Sequence, residues 1–359
     1  MVRLRKITQS VMPNYLIPDG PIPSRFQHGM GVYYLATKVL ENNRSLKYFN
    51  LILPIAGLLH DAGNPPLSHL GEHFLKEVTG KDGESFLEDI LEGSETQKVL
   101  MRLGITVEQV VAIVTGNLKP VSDVLNGSID IDNLDNIARY YEASGFGKCP
   151  YNPVNIAESF RFSSENWHLL YDCHPDATTW KETRKKVYSD IIYSEPHLNL
   201  ATMIYRALEI AFSAGEIKRE FFFFDDHEAI EYLLKCASLP TRRLTNEAVC
   251  WRWYPEVYNF KPPETPWRFK NSPNWKNRKY LADILCFRLG VPDDMVCVSI
   301  GEGKEVRNIT LPFVSEDGLT FYHDSGENIK LAPRICVFVS PEIVEKKKRI
   351  AEVVEAEIF

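Results

Sequence analysis

The run from Leu51 to Leu59 is almost entirely apolar, yet it ends on the ionisable pair His60-Asp61, followed by Ala62-Gly63. Nine residues bounded in this way read as a buried helix, with Gly63 as a natural stop. An imidazole and a carboxylate at the end of a buried helix cost desolvation energy unless a cation or hydrogen bonds offset it. A lone histidine on an apolar helix is usually a satisfied core residue, and this pair is different. Four of the nine histidines, His28, His60, His69 and His73, fall in a short early window, accompanied by Asp61, Glu72 and Asp132. Two imidazoles and two carboxylates are suitable donors for a divalent metal such as Mn, Mg, Co, Fe, Ni or Zn.

The apolar spacing around this window is mostly helical. Ser24 is a plausible N-cap, and Val32, Leu35 and Val39 follow His28 along one side of the helix it opens. Further helices are expected over Leu67–Val78, Val107–Val114, Ile129–Tyr141, Asn199–Ala214 and His227–Lys235. Near Leu239 the character changes. Proline and tryptophan thicken from Trp251 to Trp275, which reads as an irregular crossing segment. Alternating β-branched runs follow at Met295–Ile300, Val306–Pro312, Leu319–His323 and Ile335–Ser340. They read as strands, with turns at Gly301–Gly303, Asp317-Gly318 and Ser325-Gly326. Lys346–Phe359 reads as a charged closing helix. The expected fold is mainly α: a helical domain over residues 1–238, then the crossing segment and a small α+β domain over 239–359.

Composition narrows the class. Hydrophobic residues make up 44% and charged residues 25% of the 359 positions, the mixture of an ordinary soluble globule. A net charge of -7 argues against a nucleic-acid partner. The seven cysteines are scattered and never form a C-x-x-C pair, which favours reduced thiols and a cytoplasmic setting. The apolar runs are too short for a membrane span, and the start lacks the pattern of a signal peptide.

Arg25-Phe-Gln-His28, His60-Asp61 and Asp130-Ile-Asp132 together resemble the H…HD…D signature of the HD superfamily. The likeness is closer to its deoxynucleoside triphosphate triphosphohydrolases, the bacterial dGTPases and the SAM-and-HD-domain dNTPases. His60-Asp-Ala-Gly-Asn-Pro-Pro-Leu-Ser-His69-Leu-Gly-Glu72 resembles the dGTPase form H-D-x-G-N-P-P-x-x-H-x-G-E almost position for position. Arg3-Leu-Arg5-Lys-Ile7-Thr-Gln9, Tyr15 and Pro18 are similar to the family's opening. The resemblance implies an HD-domain helical core, a metal held by His28, His60, Asp61 and Asp132, attack at an α-phosphorus, and release of a deoxynucleoside with intact triphosphate. It also implies a homo-oligomer.

His69 and Glu72 are three apart on one helix and so share a face, where Glu72 can orient His69 for proton transfer. Arg25 would sit beside the metal and clamp a phosphate. Gln9 matches a family glutamine that touches a sugar hydroxyl. Asn64, Lys185 and Tyr188 complete the expected substrate contacts, the last as a ring at the base. Two positions depart from the family. Where the SAM-and-HD relatives carry D-Y-x-x-R-D, this chain has Asp135-Asn136-Ile-Ala-Arg139-Tyr140, so two sugar-reading residues are changed. Where they carry H-E-x-x-S, it has Lys81-Asp82-Gly-Glu-Ser85, and Lys81 is a candidate for charge near a leaving phosphate. Two alternatives stay open: a phosphatase or nucleotidase acting on mono- or cyclic nucleotides, and a nucleotide-binding protein without turnover.

Overall fold

The computed structural model describes residues 2–10, 23–162, 166–261, 274–301, 305–306, 311–315, 320–323, 329–330 and 334–358. Tyr15, Pro18, Trp267 and the turns expected at Asp317-Gly318 and Ser325-Gly326 lie outside the described residues. The chain is mainly helical, with a smaller share of strand. Packing divides it into two compact units.

The first unit takes the described residues up to Ile192 and adds two strands from much later in the chain. Its helices are α1 (Arg25–Glu41), α2 (Ile52–Leu59), α3 (His69–Thr79), α4 (Gly83–Leu91), α5 (Glu95–Arg102), α6 (Val107–Val114), α7 (Asp123–Asn126), α8 (Ile131–Ala143), α9 (Pro153–Glu158) and α10 (His174–Val187). Ser24 caps α1 as expected. Its hydroxyl accepts from the Gln27 backbone while the Gln27 side chain accepts from the Ser24 backbone. Val32, Leu35 and Val39 are buried on the face that follows His28. The strands are β1 (Phe160–Phe162), β2 (Trp167–Leu170), β3 (Glu256–Phe260), β4 (Val296–Gly301), β5 (Glu305–Val306), β6 (Leu311–Val314), β7 (Thr320–His323), β8 (Ile329–Lys330) and β9 (Arg334–Val339). β1, β2, β6 and β7 form one sheet in that order, with β2 and β6 parallel through Leu169↔Phe313 and Leu170↔Val314.

The second unit holds α11 (Glu195–Ser213), α12 (Asp226–Lys235), α13 (Leu239–Val249), α14 (Asn274–Leu289) and α15 (Lys347–Ile358) with the remaining strands. β9 lies between β3 and β4, antiparallel to both. Ile335–Val339 are all buried, as a central strand covered on both faces requires. α14 and α15 supply Leu281, Leu285, Ile350 and Val354 to the same core.

The structure differs from the sequence expectation in three ways. The division in packing falls between Ile192 and Tyr193, not at 238/239. The reason is that α11 packs on α13 and β4 and so belongs with the later elements. The late strands are shared out, with β6 and β7 joining β2 in the first unit. The stretch expected to be irregular carries β3, paired with β9.

Candidate metal centre

Helices α1 and α2 lie side by side, and this brings His28 to His60. Their rings meet edge to face with centroids 5.1 Å apart. α8 supplies the third element. Asp130 caps it by accepting from the Asn133 backbone, which leaves Asp132 in the first turn. Donor atoms of His28, His60 and Asp132 all lie within 4.8 Å of one another. Asp61 follows His60 directly, and its Oδ2 is 3.5 Å from His60 Nε2 and 3.7 Å from His28 Nε2. His28 Nε2 is 2.8 Å from Asp132 Oδ1, and His60 Nε2 is 3.7 Å from the same oxygen.

These spacings can be tested against a coordination shell. Ligand atoms about 2.1 Å from a cation stand about 3.0 Å apart at right angles and about 3.4 Å apart at tetrahedral angles. The observed 2.8 to 3.7 Å brackets both. In addition, His60 Nε2 and Asp61 Oδ2 are buried without a hydrogen-bond partner. Two adjacent orphaned acceptors are costly unless something positive lies between them. The donor set fits a divalent cation.

The electrostatics agree. Burial alone would lower the His28 pKa, but hydrogen bonds to Asp132 and Asp135 outweigh it and raise the value to about 10. Burial would raise Asp61, and Arg25, His60 and His28 instead hold it down at about 2. Asp132 is pulled well below the ordinary carboxylate range against burial, by His28 and His60. Asp130 is pushed up to about 8 by burial and then by the neighbouring Asp132. The cluster therefore attracts positive charge strongly. Each histidine also has its far nitrogen engaged. His60 Nδ1 is 2.7 Å from the Gly57 carbonyl, and His28 Nδ1 is 2.8 Å from Asp135 Oδ2.

His69 opens α3 next to this cluster in sequence, and its Nδ1 lies 2.8 Å from Glu72 Oε1. Burial would raise the Glu72 pKa, and the His69 hydrogen bond lowers it instead. The two residues ahead of His69 are unusual. Leu67 and Ser68 have φ of 62° and 52°, a left-handed conformation that costs about 1–3 kcal/mol each for non-glycine residues. Ser68 is held there by donating to the Thr8 carbonyl and accepting from Arg25 Nε.

The expected substrate residues divide into two groups. Arg25, Gln9 and Asn64 point into the protein. Arg25 pairs with Asp61 at 2.7 Å, Gln9 Nε2 donates to Asn136 Oδ1 at 3.1 Å, and Asn64 Nδ2 donates to Asp61 Oδ1 at 2.6 Å. Lys185 and Tyr188 sit at the end of α10, half-buried, with the Arg184 guanidinium 4.8 Å from the Tyr188 ring centroid. Lys81 is held by Asp89 and Glu88, not turned to the ligand set. Gly63 is no left-handed stop. It is needed because a Cβ there would come 2.1 Å from the Gly83 carbonyl at the start of α4.

Sequence reasoning did not assign roles to Asp135, Arg139 or Glu84. Asp135 and Arg139 stand three and seven residues after Asp132 on one helix, a spacing that marks a shared face. Glu84, Lys119, Asp123, Asp130, Asp132 and Asn133 line an open cleft of about 520 Å³. Burial, and then Asp82, raise the Glu84 pKa. Its place on the cleft depends on how α4 packs, which no local pattern shows.

Fold and site together define a mainly helical protein built round a buried His/Asp group suited to a divalent metal. No family model matches the sequence. An uncharacterized protein of Methanocaldococcus jannaschii is 26% identical over 215 residues, 57% of this chain and 43% of its own length. An uncharacterized protein of Bacillus subtilis is 32% identical over 159 residues, 40% of this chain and 35% of its own. The chain thus spans less than half the length of these curated relatives. Among solved structures, a phosphohydrolase from Bacteroides thetaiotaomicron superposes with a TM-score of 0.70 at 16% identity, over 94% of this chain and 93% of that one. A hypothetical protein from Aquifex aeolicus reaches 0.71 at 18% identity, over 98% and 92%. At these identities the likeness establishes the fold. Among the described residues, no helix is long and apolar enough to cross a membrane.

Proposed function

We propose that this chain is a metal-dependent phosphohydrolase that cleaves deoxynucleoside triphosphates to deoxynucleoside and triphosphate. The observation that carries the reading is the orphaned pair His60 Nε2 and Asp61 Oδ2, facing a cluster completed by His28 and Asp132. The phosphohydrolase of the same fold supports the reaction class. The H-D-A-G-N-P-P…H-L-G-E string supports the nucleotide substrate.

A divalent cation held by His28, His60, Asp61 and Asp132 would lower the pKa of a bound water and hold a phosphate oxygen. Glu72, held ionised, accepts the Nδ1 proton of His69 and so leaves Nε2 to exchange a proton with water or a leaving oxygen. Arg25 keeps Asp61 ionised and turned inward. The working form is proposed to be a homo-oligomer in the cytoplasm, in keeping with seven free thiols.

One observation favours a second reading, a phosphatase acting on mono- or cyclic nucleotides. Gln9 is tied to Asn136, and Tyr140 is buried, where the resembled family reads the sugar with other side chains. Incubation with each dNTP, NTP, dNMP and cyclic nucleotide, with Mn, Co or Mg, separates them. Intact triphosphate as product supports the first reading, and orthophosphate alone supports the second. Binding of nucleotide with no product under any metal would sink both.

A further inference from the structure

Of the two histidines at the candidate metal centre, His60 has its Nδ1 engaged by the backbone carbonyl of Gly57, which no side-chain change removes. His28 depends on a side chain. Its Nδ1 lies 2.8 Å from Asp135 Oδ2, while its Nε2 faces Asp132 and Asp61. A neutral imidazole ligates through one nitrogen and carries its proton on the other, so the group at Nδ1 decides which nitrogen is free.

We infer that Asp135 is a positioning residue for the metal, holding His28 in the tautomer that turns Nε2 toward the cation, and that Arg139 in turn holds Asp135. Arg139 meets the carboxylate with two donors, Nε to Oδ2 at 2.5 Å and Nη2 to Oδ1 at 3.0 Å. That fork fixes the plane of the carboxylate and leaves Oδ2 shared between Arg139 and His28. An isolated Asp–Arg pair four residues apart on a helix surface would contribute little. This one is different because Asp135 is buried and its oxygen is shared with a fully buried histidine. Helix α1 is shaped to admit it. A Cβ at Gly31 would come 1.8 Å from Asp135 Oδ1 and 2.6 Å from Arg139 Nη2, so a larger residue there would push the pair out of this arrangement. Asp132, Asp135 and Arg139 thus form one face of α8 with graded tasks: ligand, orienting carboxylate and anchor.

The inference rests on the metal reading of the site, not on the choice of substrate. Its test is Mn²⁺ affinity by titration calorimetry on the full chain, with circular dichroism to confirm folding. Asp135→Asn keeps the size but offers Arg139 only one acceptor, and its amide group can donate to Nδ1 and favour the wrong tautomer. Its affinity should fall about 10–100-fold with the helical spectrum retained. Arg139→Gln leaves the carboxylate and removes the fork, and should fall several-fold. It carries the test if the first variant does not fold. Lys186→Ala, which breaks an ordinary pair with Asp190, serves as the control and should leave affinity unchanged. Wild-type affinity in folded Asp135→Asn, or in Arg139→Gln should the first not fold, overturns the inference even if stability drops. A wild-type protein that binds no Mn²⁺ overturns the metal reading and this inference with it. A protein that binds Mn²⁺ tightly but cleaves no nucleotide overturns only the proposed activity.

Discussion

Arg25 Nη1 lies 2.7 Å from Asp61 Oδ1, with both side chains buried. The guanidinium also donates to the Gln9 carbonyl and to Ser68 Oγ. It therefore joins the residue beside His60, the strained turn ahead of His69, and the N-terminal segment. Removing it leaves Asp61 as a buried charge with its main counter-charge gone. Arg25→Ala should lose about 3–5 kcal/mol in urea unfolding of the metal-free protein. Saturating Mn²⁺ should recover part of that loss, because a cation restores positive charge beside Asp61. A loss under about 1 kcal/mol would show the pair to be incidental.

The proposed ligands and the His69/Glu72 pair should separate cleanly in binding experiments. His60→Ala or Asp132→Ala should abolish Mn²⁺ binding. His69→Ala should bind Mn²⁺ as the wild type does and lose turnover by about 10²–10⁴-fold. Full activity in His69→Ala would refute the role assigned to it.

Chelation makes a third expectation. If the cation binds only the folded chain, its removal lowers stability by about 2.7 kcal/mol relative to metal at a hundred times its dissociation constant. A thermal melt with and without EDTA reads this as a fall in Tm. Melts that superimpose would count against a tightly held ion.

Gly63 offers a steric test. An added Cβ would come 2.1 Å from the Gly83 carbonyl and 2.5 Å from the Leu87 amide nitrogen, both rigid backbone. Gly63→Ala should destabilise the first unit by about 2–3 kcal/mol and shift α4. A variant as stable as the wild type would mean that α4 moves away freely.

The second unit carries a pH dependence of its own. Glu209 is buried beside Arg206, and burial outweighs the attraction of Arg206 to raise its pKa to about 7. The folded protein then holds a proton on Glu209 that the unfolded chain gives up near its ordinary value of 4.5. Stability is fullest below about pH 4.5 for this group and is lost as pH rises toward 7, by up to about 3 kcal/mol. Glu209→Gln should flatten that slope in urea midpoints measured across the window. An unchanged slope would show that Arg206 keeps the carboxylate ionised throughout.

Much of the helical part was legible locally. Val107–Val114 appears with the expected bounds, Ser24 caps its helix, and the apolar run before His60 ends where the charged pair begins. These features depend on spacing and capping within one turn or two. The sheet of the first unit was not legible, because β2 pairs with β6, which lies far along the chain in sequence, and neither strand is long. Nor was the inward turn of Arg25, which depends on where Ser68 and Asp61 stand after folding.

By itself the sequence determined which chemistry is present: two histidines and two aspartates at helix ends, and a histidine–glutamate pair one turn apart. Helix periodicity and desolvation make those residues expensive anywhere but in a site. Only the tertiary structure decided how the charges are shared out. Packing of α1 against α2 and α8 gives Arg25 to Asp61 and Asp135 to His28, and the N-terminal segment brings Gln9 to Asn136. Such pairings are set by distances of a few ångströms between distant segments, and electrostatic energy, which grows with burial and shrinks with separation, depends too strongly on both to be read from order along the chain.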